Sequence, residues 1–140
     1  MIGKLRFLIA VIVGKVSAFL LDKIFKRGTN TPGIIMLKIC PDALARFVMP
    51  RTTICVTGTN GKTGTSNLLT HIIRNSGKTV VNNSKGSNMA PGLASALVTQ
   101  CTLGGKVTAD VAVLEVDERS SQYIYTEFTL DYILCTNLFR

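Results

Sequence analysis

A chain of 140 residues with 46% hydrophobic content and a mean hydropathy of +0.33 excludes a disordered polypeptide and accommodates one packed domain rather than two. The formal net charge of +8 is concentrated at one end: residues 1–51 carry nine Lys/Arg against Asp22 and Asp42, and the remaining 89 residues balance at +1. The excess lies in an apolar arm, which points to a membrane surface or an acidic partner and not to nucleic acid.

The arm, "MIGKLRFLIAVIVGKVSAFLLDKIFKRG", is helical in pattern but offers no transmembrane span. Its longest uncharged stretch, residues 7–14, falls far short of the roughly 20 apolar residues a span requires, and Lys15 and Asp22 interrupt the residues after it. No small-residue cleavage site follows the apolar core, which argues against a signal peptide. At helical spacing Lys4, Lys15, Asp22 and Lys26 fall on one stripe while most of the remaining circumference is apolar. Such a helix has two uses. The arm packs on the domain core through a wide face, or residues 1–27 rest on a membrane surface aided by anionic lipid. "RGTNTPG" (residues 27–33) reads as a helix stop and turn, and residues 34–48 as a second helix bracketed by Pro32 and Pro50, with Pro41 as a break or first-turn residue.

"TTICV" (residues 52–56) is β-branched and apolar, as in a buried strand of a parallel sheet. "TGTNGKTGT" comes next, and "SNLLTHIIRNSG" then places Leu68, Leu69, Ile72 and Ile73 at helical spacing before Gly77. Strand, glycine loop and helix in this order make a phosphate-binding loop. Gly58 and Gly61 allow a tight turn that bares backbone N–H groups beside a helix N-terminus, and both features favour a polyphosphate. Lys62 is placed to reach the β- and γ-phosphates, and the Thr63 hydroxyl to ligate Mg²⁺. Val56 occupies the first glycine position of G-x-x-x-x-G-K-[ST], so the motif is the shorter G-T-N-G-K-T.

Residues 78–83 read as a strand, residues 86–92 as a loop and residues 93–100 as a helix. "ADVAVLEVDERSS" (residues 109–121) is a further buried strand ending in Glu115, Asp117 and Glu118. In a parallel α/β sheet the carboxyl ends of the strands line the ligand crevice, so a carboxylate here can hold the Mg²⁺ that bridges phosphates. Glu115, the last acidic residue within the strand, is the first candidate and Asp117 the second. Residues 130–138 form a fourth candidate strand. His71, on the first helix after the loop, has no assigned role. Cys40, Cys55, Cys101 and Cys135 are scattered with no C-x-x-C pair, which argues against a zinc site or disulfide framework and for a reducing, cytoplasmic compartment.

"TGTNGKT" after a buried strand, "GSNMAPG", "LEVDE" and "TNLFR" together resemble the central ATPase domain of the Mur ligases. With the lead-in "KRGTNTPGIIMLKICPDAL", the chain is most similar to the MurT-type subunits of lipid II isoglutaminyl synthase. The resemblance implies an α/β fold with a P-loop and a mostly parallel sheet (residues 52–140), part of the central ATP-binding domain, preceded by a basic helical arm (residues 1–51). It implies an ATP-dependent ligase that activates a carboxylate as an acyl phosphate for displacement by an amine. In the MurT-type complex the carboxylate is the α-carboxyl of D-glutamate in the lipid II stem peptide. A GatD-like glutamine amidotransferase supplies ammonia, and the product is D-isoglutamine, at the inner face of the cell membrane. By the same resemblance Gly58, Thr59, Asn60, Gly61, Lys62, Thr63 and Gly64 hold ATP, with Asn88 and Asn137 near nucleotide or substrate, and Thr63 and Glu115 hold Mg²⁺. For Asn88 and Asn137 loop capping is an equal reading. Gly64 stands where the family usually has a second threonine. The family's four-cysteine zinc ribbon and C-terminal domain are expected beyond Arg140, so zinc and the acid–base residues of bond formation are expected there and none within this segment. Two alternatives stay open: another Mur-type or folylpolyglutamate-type ligase, and a non-catalytic nucleotide-binding module anchored by the arm.

Overall fold

Four strands, β1 (Thr52–Thr57), β2 (Val80–Asn82), β3 (Val111–Glu115) and β4 (Tyr132–Cys135), pair in parallel in the order β2-β3-β1-β4 in the computed structural model, which describes residues 2–25, 30–85 and 87–138. Parallel neighbours cannot be joined by hairpins, so each connection crosses over through a helix. These are α4 (Lys62–Asn75) between β1 and β2, α5 (Ala90–Thr99) between β2 and β3, and α6 (Glu118–Glu127) between β3 and β4.

Side chains alternate across the sheet. Val56, Val80, Val111 and Val113 meet Leu69 and Ile73 of α4 on one face. Cys55, Val81, Ala112 and Leu114 join the larger core on the other. All five β3 residues are buried, as a parallel strand covered on both faces requires, whereas all four β4 residues are exposed.

The larger core is closed by α1 (Ile2–Phe25), α2 (Thr31–Ile39) and α3 (Ala43–Arg46) together with α5. Phe7, Ala10 and Val11 of α1 are buried in it, and Phe7 meets Phe47 edge to face with ring centroids 5.6 Å apart. Small residues set the helix spacing. A Cβ on Gly14 would stand 2.9 Å from a Val98 methyl, and one on Gly33 would overlap the Pro91 carbonyl. The Gly33 N–H donates to Ser95 Oγ at 2.8 Å, and the missing side chain lets the α2 backbone approach that of Pro91 and Ser95 in α5.

The arm packs on the core, but through a narrower face than its composition suggests; Ile2, Leu5, Ile9, Ile12, Val16 and Phe19 are exposed. Of its polar stripe, Lys4 and Asp22 are exposed and Lys15 is half-buried; Lys26 lies outside the described residues, as does part of the 27–33 turn. Among the described residues no helix is long and apolar enough to cross a membrane.

Several boundaries move for identifiable reasons. The helix read over residues 34–48 is two, with Pro41 in the turn between them, and Pro32 lies inside the first turn of α2, where its missing N–H is not needed. Pro91 does the same for α5, which starts at Ala90 rather than at residue 93. The strands expected over residues 78–83 and 130–138 shrink to Val80–Asn82 and Tyr132–Cys135. Helix α6 is not evident in the sequence pattern. It is short and mostly polar, with Ile124 its one buried residue, although Asp117 caps it by accepting from the Arg119 N–H at 3.1 Å.

Gly33→Val tests the backbone contact between α2 and α5. The added side chain forces the helices apart, and urea denaturation should show a loss of about 1–3 kcal/mol or more.

Candidate nucleotide-binding site

The flush carboxyl ends of β1, β3 and β4 create the site. Val56 pairs with Glu115 and Thr57 with Cys135, so the residues that leave these strands converge. The loop from Gly58 to Gly61 rises from β1 into this space. Gly58 has φ +127° and Gly61 φ +81°, both in the region that favours glycine. Position 58 has a second constraint, since a Cβ there would strike Thr136 and the Asn137 backbone.

The end of β4 holds the loop in shape. The Thr59 N–H donates to the Asn137 carbonyl at 3.0 Å, and the Asn60 N–H to Asn137 Oδ1 at 2.9 Å. Thr136 Oγ1 donates to the Asn60 carbonyl at 2.6 Å. Asn137 therefore buttresses the loop. On the opposite side, Thr59 Oγ1 donates to Glu118 Oε1 at 2.8 Å.

Helix α4 begins at Lys62, six residues before Leu68, the first of its periodic apolar residues, and no side chain caps its N-terminus. Such an end presents backbone N–H groups and the positive end of the helix dipole to an anion. Lys62 folds over the loop, its Nζ donating to the Gly58 carbonyl at 2.5 Å and the Thr59 carbonyl at 3.2 Å. Gly64 lies exposed in the same first turn, and an added Cβ there meets nothing within 4 Å.

Thr63 Oγ1 donates to Glu115 Oε1 at 3.0 Å, which brings the two candidate metal ligands together. The Glu115 residue is 9% exposed. The pair offers a hydroxyl and a carboxylate, hard oxygens beside a phosphate loop, and this donor chemistry fits Mg²⁺ with water and phosphate completing the shell. Asp117 is turned to a different task as the α6 cap, and its N–H donates to the Asn88 carbonyl at 2.9 Å. Asn88 thus lies half-buried beside the start of α6. His71 is exposed on α4.

Sequence reasoning missed Asn83. β2 ends at Asn82, opposite Val113 and two residues short of the end of β3, and the buried Asn83 side chain continues the ladder beyond it. Its Oδ1 accepts from the Glu115 N–H at 2.8 Å, while its Nδ2 donates to the Glu115 carbonyl at 2.8 Å and the Ser87 carbonyl at 3.1 Å. A carboxamide has the donor and acceptor of a peptide group, so it substitutes for a strand residue and fixes the backbone that carries Glu115. The "NN" pair after an apolar strand was the available signal. Cys40, Cys55 and Cys101 are buried; burial pushes the Cys55 thiol up to about 11, which leaves it protonated and unreactive at neutral pH.

A family model of the Mur ligase middle domain matches residues 56–140. The chain is 39% identical over 116 residues to the lipid II isoglutaminyl synthase (glutamine-hydrolyzing) subunit MurT of Staphylococcus aureus strain N315, covering 82% of this chain and 26% of that protein. It is 32% identical over 136 residues to the same-named subunit of Streptococcus pneumoniae R6, covering 97% and 30%. A UDP-N-acetylmuramate–L-alanine ligase of Leuconostoc citreum KM20 is 29% identical over 122 residues, covering 87% and 23%. The chain thus spans between about a quarter and a third of the length of the curated relatives it matches.

Two substitutions test the site's construction. Asn83→Ala strips partners from both backbone groups of Glu115 and should lower stability by about 1–3 kcal/mol in urea denaturation. Gly64→Ala meets no obstacle and should raise it by about 0.4–1 kcal/mol.

Proposed function

From the premise that the chain belongs to the Mur ligase family, we propose that it is the nucleotide-binding front part of a MurT-like ligase subunit. Its substrates on this reading are ATP and the α-carboxyl of D-glutamate in the lipid II stem peptide. The observation that carries the proposal is the convergence, at the end of β1, of an uncapped helix N-terminus, Lys62 and the Thr63–Glu115 pair. The substrate class is supported by identity to the two MurT subunits, whose names specify lipid II isoglutaminyl synthase and glutamine hydrolysis.

The chemistry asked of this segment is phosphoryl transfer. A carboxylate oxygen attacks the γ-phosphorus, ADP leaves, and the acyl phosphate is then attacked by ammonia with release of phosphate. Backbone N–H groups at the start of α4, from Gly61 to Gly64, hold the phosphates, and Lys62 balances the charge that develops on the γ-phosphoryl oxygens. Thr63 and Glu115 would hold the Mg²⁺, which supplies further charge neutralisation when bound. Asn83 keeps Glu115 in position and Asn137 keeps the loop in shape; Asn88 and Asp117 join the nearby loop to α6.

Ammonia comes from a GatD-like glutamine amidotransferase partner, and the reaction takes place in the cytoplasm at the inner face of the cell membrane. The acid–base groups of bond formation are assigned to other parts of the longer protein. The division at residue 51 belongs to this proposal; because α1 and the sheet share one core, arm and nucleotide unit fold together.

The test is ATP- and glutamine-dependent amidation of lipid II by the full-length subunit with its amidotransferase, read by mass spectrometry of the stem peptide. Lys62→Ala should reduce turnover by about 10²–10³-fold. Nucleotide binding without amidation of lipid II overturns the substrate assignment, and failure to bind nucleotide overturns the whole reading.

A further inference from the structure

Helix α1 is apolar on two opposite faces, and the core uses only one of them. At 100° per residue, the buried Phe7, Ala10 and Gly14 centre on one side. The exposed Ile2, Leu5, Ile9, Ile12, Val16 and Phe19 occupy the other, from 42% to 85% exposed. This stripe runs about 25 Å along the helix. Val13 and Leu20 are also exposed and widen it to an arc of about 120°, broader than the two-position seam of a coiled coil.

Charge decides the occupant. Lys4 and Lys15 border the apolar arc on one side and Arg6 on the other, while Lys23 lies over the Phe19 ring at 4.5 Å at its far end. Lys26 and Arg27 come next in sequence, so residues 2–27 hold six cations against Asp22 alone. A second copy would bring two such basic arms together, and the centre of a protein interface is depleted of lysine. An apolar arc bordered by cations is instead the pattern of a helix lying in the headgroup region of an anionic bilayer. The charges that interrupt α1 leave it without an apolar window able to span, so the helix lies parallel to the surface.

We propose that the outer face of α1 docks on an anionic membrane surface, with the Leu5–Ile9–Ile12–Val16 stripe in the acyl boundary and Lys4, Lys15 and Lys23 at the phosphates. This does not depend on the proposed reaction. It orients the molecule so that the core packed on the inner face of α1 stands on the water side of the bilayer.

The experiment is flotation of the full-length protein with vesicles of equal parts phosphatidylglycerol and phosphatidylcholine, and with phosphatidylcholine alone. Wild type should float with the anionic vesicles, and added salt should weaken binding. Ile9→Glu/Val16→Glu, at exposed positions, should bind at least about ten-fold more weakly with unchanged nucleotide affinity. Lys4→Gln/Lys23→Gln, which keeps the apolar stripe, should bind the anionic vesicles several-fold more weakly. Lys62→Ala should float like wild type, which separates this inference from the ligase reading. The proposal is overturned if wild type stays with the soluble fraction, if it floats equally with neutral vesicles, or if the Glu variant binds undiminished. It is also overturned if the Glu substitutions merely convert a dimer to a monomer, since a second copy would then be the occupant.

Discussion

Parallel pairing of β1 with both β3 and β4 is the constraint on which the site depends. Because the registers end flush, Glu115 and the Thr136–Asn137 turn arrive on either side of the loop that leaves β1. The loop then has no room for a side chain at position 58, and its carbonyls and N–H groups are held by the strand end beside it. On the proposed reading the start of α4 is the anion cradle, with Lys62 folded over the braced loop and one hydroxyl–carboxylate pair at its edge. Backbone donors already in place at a helix end need little reorganisation when charge develops, which is what they would contribute to the proposed reaction.

The two faces of the sheet carry different duties. The valine-lined face is covered by α4, the helix whose N-terminus faces the loop, so packing there fixes the direction of its dipole. The opposite face rests on α5, α2 and α1, and their close approach is secured by Gly14 and Gly33. Stability is thus supplied by the helical layer, while the loop side is left with polar connections between β2, β3 and α6. Asn83 is the hinge between these duties, since it completes the sheet on one side and orients Glu115 on the other.

The arm joins this logic to a surface. A helix that served only as packing would carry polar residues outward; α1 instead carries a second apolar arc with cations along its borders. Its inner face makes it inseparable from the nucleotide unit, so any surface that receives its outer face also orients the sheet. If the proposed substrate is lipid-linked, such docking would confine the protein to the plane of its substrate and raise the effective concentration there.

The sequence by itself determined the α/β class, the strand–loop–helix unit around Lys62 and the parallel character of the strands, because apolar period and glycine chemistry are local properties. Lys62 and Thr63 could be singled out from a short motif and Glu115 from its place at a strand end, and the structure brings Thr63 and Glu115 within hydrogen-bond distance. Tertiary structure alone decided that β4 lies beside β1, and hence that Asn137 supports the loop and that Gly58 has no space for a Cβ. It alone revealed Asn83, whose role arises from β2 stopping two residues short of the end of β3. It also decided which half of the arm's apolar circumference is used. Periodicity shows that a helix has apolar faces, but which face is buried depends on where Met36, Leu97 and Val98 stand across the chain, and no local pattern contains that information.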